Sequence, residues 1–191
     1  MLNISSNAMT GSLPTQIGEL RQILTLDLGF NKFDHSIPVD IGTLTGLSKL
    51  YLESNLLTGT IPPALCNCAN LAVLSLDNNF LGESLLTCNN QLPHLAILSL
   101  TDNYFVGKIP SSYSQWTEMT SLELSGNFLT GHISTSLTNI RTLQVLNLSS
   151  NEFSGTLPNS VGNWKDLLSI EIDNTLISGL VLPFFTIFIF C

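Results

Sequence analysis

Positive charge is the first thing this chain is short of. Lysine and arginine together number 6 against 14 aspartate and glutamate, a formal net charge of −8. A nucleic-acid binder needs a basic footprint to displace counterions from phosphates, so nucleic acid is a poor partner. An anionic membrane surface is disfavoured for the same reason. Charge of either sign is scarce, at 10% of residues, which suits a fold that buries much of every turn of chain. Long apolar runs are lacking too. The stretch from Leu180 to Cys191 carries no charge but holds only 12 residues, fewer than the roughly 17–25 that a spanning helix requires. Starting it at Leu176 gives 16, with Pro183 inside. No Gly-x-Ser-x-Gly elbow, phosphate-cradling glycine loop or kinase signature occurs. His35, His94 and His132 fall at unrelated positions, so no catalytic constellation is expected.

What the chain has is a period. Asn7, Asn31, Asn55, Asn79, Asn103, Asn127 and Asn151 recur every 24 residues, and a fixed interval of this size marks a solenoid. Apolar residues sit five and three positions before each Asn: Leu2 and Ile4, Leu26 and Leu28, Leu50 and Leu52, Leu74 and Leu76, Leu98 and Leu100, Leu122 and Leu124, Leu146 and Leu148. A spacing of two places both on one face of a short strand. After the Asn come an apolar residue at plus two, usually Gly at plus four, then Ile or Leu with Pro, as in Phe105-Val106-Gly107-Lys108-Ile109-Pro110.

This pattern resembles the plant-type leucine-rich repeat, L-x-x-L-x-x-L-x-L-x-x-N-x-L-x-G-x-I-P-x-x-L-G-x, over nearly the whole chain. The resemblance implies an α/β-type repeat solenoid: a right-handed leucine-rich-repeat horseshoe. A parallel sheet lines its concave face, and β, loop and 3-10 structure covers the convex side. It also implies a second sheet on one flank, formed by the Gly-x-Ile-Pro segment. Residues 1–182 are expected to form about seven to eight coils, the first and last incomplete, with 183–191 as an apolar tail. At about 4.8 Å per stacked strand, eight coils make a rod on the order of 35 Å long.

Physical chemistry gives each repeated residue a task. An isolated 24-residue coil cannot cover its own leucine ridge, so coils must stack. The Asn amide offers donor and acceptor together, and turned inward it satisfies main-chain groups where the chain leaves the strand. Seven such residues would form a ladder. The fourth repeat departs most: after Asn79, Gly82 comes one place early and Leu86 replaces Pro, which predicts a local bulge. His35 takes a Gly slot and Ser134 a Pro slot. Among four cysteines, Cys68 occupies a leucine slot and reads as core filler. Either Cys66 or Cys68 is close enough in phase to meet Cys88 on the next coil. Cys66-x-Cys68 with His94 lacks the second ligand pair of a zinc site, so no metal is expected, and no cofactor either.

The residues between the inward leucines face out of the concave sheet. The column four before the Asn slot reads Asn3, Asp27, Tyr51, Ser75, Ser99, Glu123, Asn147, Glu171, and the column two before reads Ser5, Gly29, Glu53, Asp77, Thr101, Ser125, Ser149, Asp173. Together they hold six acids and no base. A third column adds Lys49, Val73 and Ile97 among others. The candidate ligand-binding residues are therefore Asp27, Tyr51, Glu53, Val73, Asp77, Ile97, Glu123, Glu171 and Asp173, with a basic ligand favoured. Asn3 and Asn147 open Asn-x-Ser sequons on the same face and are candidate glycosylation sites.

The family resemblance implies a role as the ligand-binding part of a receptor-like protein or kinase in signalling or defence. Its ligand would be a peptide, protein or glycan, with a possible co-receptor and no enzymatic activity. The parent protein would sit outside the cell at the plasma membrane, touching the membrane only through parts absent from this chain. Two alternatives use the same repeat: a secreted inhibitor of the polygalacturonase-inhibitor kind, and a truncated gene product. An ice-binding role wants flat, Thr-rich columns, and the outward columns here are mixed. The chain starts inside a repeat and its eighth repeat holds Thr175 in the ladder slot, so both ends are expected to be incomplete.

Overall fold

The computed structural model describes residues 1–89 and 91–179. Eight short strands, Leu2–Asn3, Thr25–Asp27, Lys49–Tyr51, Val73–Ser75, Ile97–Ser99, Ser121–Glu123, Val145–Asn147 and Ser169–Glu171, form one parallel sheet in chain order. Each residue pairs with its equivalent 24 positions on, as Leu26 with Leu50 and Leu50 with Leu74. Sequence period and sheet register therefore coincide. Every inward leucine lies on the leucine or isoleucine of the next coil, as Leu146 on Ile170, and every outward residue lies beside its counterpart.

A second eight-stranded parallel sheet runs along the flank: Thr10–Ser12, Lys32–His35, Leu56–Gly59, Phe80–Ser84, Tyr104–Gly107, Phe128–Gly131, Glu152–Gly155 and Leu176–Ile177. Its register advances by 22 residues, Gly11 facing Phe33 and Val106 facing Phe128. The two-residue shortfall shears each flank strand along its neighbour. Because two is the side-chain period of a strand, the shear leaves inward and outward faces unchanged. The family-implied second sheet is thus present.

The outer side is made of single 3-10 turns: Thr15–Glu19, Val39–Thr43, Pro63–Asn67, Ser111–Gln115, Thr135–Asn139 and Asn159–Asn163. Proline precedes five of them, at Pro14, Pro38, Pro62, Pro110 and Pro158, each with an extended backbone. Its fixed φ sets the corner, and its missing N–H is one that the turn would leave unpaired. Ser134, in the sixth proline slot, substitutes chemistry for rigidity: its hydroxyl accepts from Ser136 N–H at 3.1 Å and caps the turn. Leucine columns from strands and turns merge into one continuous core.

The ladder is present and has a fixed wiring. Asn127, 6% exposed, donates its amide to Leu124 O (3.1 Å) and Ser125 O (3.1 Å) of its own coil and to Leu100 O (3.0 Å) of the coil before. Its carbonyl oxygen accepts from Phe105 N–H at 3.0 Å. Asn31, Asn55, Asn79, Asn103 and Asn151 repeat the same four bonds. Asn7 at the first coil is exposed and bonds only Ile4 O and Ser5 O. At the eighth coil Thr175 takes the slot, and its hydroxyl donates to Ile172 O at 2.8 Å.

Two backbone positions recur with left-handed angles. One is the residue just before each ladder slot: Ser6, Phe30, Ser54, Asn78, Asp102, Gly126, Ser150 and Asn174, with φ between 51° and 64°. The other is the Gly slot at plus four, where His35 (φ 61°) and Glu83 (φ 63°) adopt the angle without glycine. Glu83 corrects the bulge expected in the fourth repeat. The strand Phe80–Ser84 stays in register, Gly82, Glu83 and Ser84 pairing with Tyr104, Phe105 and Val106. The backbone pattern of the coil overrides the misplaced glycine. What the fourth coil lacks, among the described residues, is its 3-10 turn. A disulfide stands there instead, joining Cys66 to Cys88 with Cα atoms 5.5 Å apart. Cys68 is free and buried, and burial pushes its thiol up to about 11. The boundary at 182 and the apolar tail at 183–191 lie outside the described residues. Among the described residues, no helix is long and apolar enough to cross a membrane.

Candidate recognition surface

The inner sheet brings the predicted columns together. Asp27, Tyr51, Glu53, Val73, Asp77, Ile97 and Glu123 are half-buried on it, and Glu171 and Asp173 are exposed at its far end. Adjacent coils hold most of these carboxylates in place. Asp27 accepts from Asn3 Nδ2 at 2.8 Å and Ser5 Oγ at 3.2 Å. Asp77 accepts from Ser99 Oγ (2.6 Å), Thr101 N–H (2.7 Å) and Ser75 Oγ (3.2 Å). Ser121 Oγ donates to Glu123 at 2.9 Å, Asn147 Nδ2 to Glu171 at 2.7 Å, and Ser149 Oγ to Asp173. The hydroxyls that the sequence places among the acids therefore act as clamps. The acids are preorganised, which lowers the ordering cost of binding, yet part of their hydrogen-bonding capacity is already used.

Glu53 differs from the rest. Its carboxyl lies over Gly29 of the preceding coil, where an added Cβ would come within 2.9 Å of Glu53 Cδ. Gly29 is the one residue without a side chain in its column, and it makes that room. Glu53 Oε2 is buried and has no hydrogen-bond partner. Burial raises the Glu53 pKa, and the charges of Asp27 and Asp77 on the flanking coils add to the rise. Hydrogen bonding offsets it only in part.

The sequon residues lie on this face, but Asn147 is half-buried. Its Nδ2 is given to Glu171, and its Oδ1 accepts from Ser149 N–H at 3.1 Å. The three histidines lie apart: His35 beside Asp34 at 2.5 Å, His94 beside Glu118 at 3.1 Å, and His132 on Ser154 O at 2.9 Å.

A second feature on the flank went unread in the sequence. The residue following each ladder Asn points outward, and in the middle coils it is aromatic. Phe80, Tyr104 and Phe128 stack with ring centroids 5.9 and 6.0 Å apart, each 44–50% exposed. Beside them runs the left-handed column Asn78, Asp102, Gly126 and Ser150, and the two rails border a shallow groove of about 540 Å³. The identical phase of the three aromatics was visible in the sequence.

Stacked coils with an outward sheet lining the curve and a grooved flank define a leucine-rich-repeat solenoid. The chain belongs to the leucine-rich repeat family, in its plant-type form. The family model described as Leucine Rich Repeat matches residues 46–68, 118–140 and 142–164. The solved LRR ectodomain of the Arabidopsis receptor kinase HAESA, in complex with an N-terminally extended IDA peptide hormone ligand, is 31% identical with a TM-score of 0.88. That match covers 92% of this chain and 30% of the other. The LRR ectodomain of the receptor kinase SOBIR1 from Arabidopsis thaliana is 31% identical, TM-score 0.65, covering 69% of this chain and 73% of the other. A plant ice-binding protein is 26% identical, TM-score 0.77, over 93% of this chain and 56% of the other. The chain thus spans about three tenths of the length of the HAESA ectodomain it matches. None of the curated proteins compared with it matches.

Proposed function

We propose that the chain is the ligand-recognition part of a plant receptor-like protein or receptor-like kinase, and that it binds a basic peptide or protein on its concave sheet. Asp27, Glu53, Asp77, Glu123, Glu171 and Asp173 form the polar contacts, with Tyr51, Val73 and Ile97 as apolar ones. The role is recognition without chemistry, in extracellular signalling or defence, and a co-receptor completes the assembly. The observation that carries this reading is the run of six acids on one sheet face, five of them fixed by hydrogen bonds from Asn3, Ser99, Thr101, Ser121, Asn147 and Ser149. Similarity to an ectodomain solved with a peptide hormone supports it. The mixed outward columns favour it over an ice-binding role, which needs a flat and uniform face.

Titration of a panel of basic peptides against the chain tests the proposal. Asp77→Lys with Glu123→Lys should weaken the best binder by at least roughly tenfold, equivalent to about 1.4 kcal/mol, and flatten its salt dependence. Affinity unchanged by both reversals would remove the concave face as the binding surface.

A further inference from the structure

The flank groove presents an anion that nothing among the described residues balances. Asp102 stands in the left-handed column, where aspartate is tolerated better than most residues (φ 52°). Its carboxylate makes no hydrogen bond or ion pair among the described residues, unlike the carboxylates of Asp27, Asp77 and Glu123. The groove is lined by Asn78, Phe80, Tyr104, Phe128 and Ser150 besides, and none of its lining residues is a cation.

Gly126 makes room for the carboxylate. A Cβ there would collide with Asp102 Oδ1. The backbone angle does not by itself require glycine, because the other seven residues of that column adopt it with a side chain. Glycine at this coil leaves space for Asp102.

We propose that this flank groove is a second binding site, distinct from the concave face, and that it takes an arginine side chain of a protein or peptide partner. A neutral ligand lying over the groove would bury Asp102 without compensation, which is costly. A guanidinium removes that cost by pairing with the carboxylate through two N–H donors, and its flat face packs on aromatic rings. Phe80, Tyr104 and Phe128 supply those rings beside the carboxylate. Lysine offers the charge without the planar stacking surface and is the weaker ligand. The net charge of −8 draws a cationic segment toward the protein from a distance.

The test is backbone-amide NMR of the full chain titrated with tetra-arginine, tetra-lysine and the neutral oligosaccharide cellohexaose. Tetra-arginine should shift the amides of Asn78, Asp102, Tyr104, Gly126 and Phe128, and should bind there more tightly than tetra-lysine. Asp102→Asn and Gly126→Ala should each weaken the flank response roughly tenfold, leaving any concave response of Asp77 and Glu123 in place. Asp77→Lys should do the reverse, so the two surfaces stand or fall separately. Shifts confined to the concave face would overturn the proposal. So would equal binding of tetra-lysine, a flank response indifferent to Asp102→Asn, or a response to cellohexaose alone.

Discussion

Replacing Asn127 by Ala removes one rung of the ladder, and the wiring indicates what that costs. The three carbonyls it serves do not become bare. Leu100 O keeps Asn103 Nδ2 at 3.2 Å, Leu124 O keeps Asn151 Nδ2 at 2.9 Å, and Ser125 O keeps Asp102 N–H at 2.9 Å. The group that loses its acceptor is Phe105 N–H, on a residue with no exposed surface. An orphaned buried donor costs about 1–3 kcal/mol, and each partly compensated bond rather less. The expected loss for Asn127→Ala is therefore about 3 kcal/mol, read by urea denaturation with circular dichroism. Asn7→Ala is the internal control, since Asn7 is exposed and bonds only two carbonyls of its own coil; it should cost under about 1 kcal/mol. Asn127→Asp should be worse than Ala, because a carboxylate oxygen would then face three carbonyls. Nearest-neighbour coupling in repeat proteins further predicts a broader transition, as the two halves of the stack separate energetically. Equal losses at positions 7 and 127, or an aspartate better tolerated than alanine, would refute this account of the ladder.

Other predictions follow from particular contacts. Thr175→Asn should complete the ladder at the eighth coil and raise stability by about 1 kcal/mol, the net worth of a typical hydrogen bond, measured by the same denaturation; no gain would mean that this coil does not hold the ladder geometry. Reducing the Cys66–Cys88 bond, which closes a loop of 22 residues' separation, should cost about 3 kcal/mol on the chain-entropy estimate, and Cys88→Ser should reproduce it; a melting point indifferent to reductant would count against that pairing. Glu53→Gln should stabilise the protein at neutral pH. The folded-state pKa of Glu53 is raised, so the folded protein holds that proton more tightly, and stability is lost as pH rises above the ordinary carboxylate range. The advantage of Glu53→Gln should fade below about pH 4.5, where Glu53 is protonated folded or unfolded; an advantage persisting there would exclude ionisation as its source.

The period alone was enough for the sheet on the curve, because one interval fixed both strand register and ladder. Leu26, Leu50 and Leu74 stack at the spacing at which they recur. The left-handed residue before each Asn was harder to read, since its identity varies through Ser, Phe, Asn, Asp and Gly. Small polar residues and glycine fill seven of those eight places, which is the trace that such a backbone angle leaves; Phe30 obscures it. The fourth repeat misled for a related reason. A displaced glycine suggests a displaced turn when coils are considered singly, but a coil held between two regular neighbours takes their conformation, and Glu83 accepts the strain. The partner of Cys88 was undecidable because Cys66 and Cys68 differ by two residues. Position separates them: Cys66 brings its Cα within 5.5 Å of that of Cys88, while Cys68 stays free in the leucine column.

Repetition also narrows the search for function. Residues fixed by the period are occupied with stacking, so recognition must rest on those that depart from it. Gly29 and Gly126 are two such departures, each in a column whose other members carry side chains, and each beneath a carboxylate of the coil before or after it. Gly29→Ala tests whether this arrangement matters on the concave face. The new Cβ would stand 2.9 Å from Glu53 Cδ, closer than carbon atoms approach, so the carboxyl must swing outward into water. Desolvation is the largest cause of its raised pKa, so the swing should return Glu53 toward the ordinary carboxylate range. An NMR titration of the Glu53 side-chain carboxyl carbon reads this directly. A pKa as high in Gly29→Ala as in the parent chain would mean that the glycine does not govern the environment of Glu53.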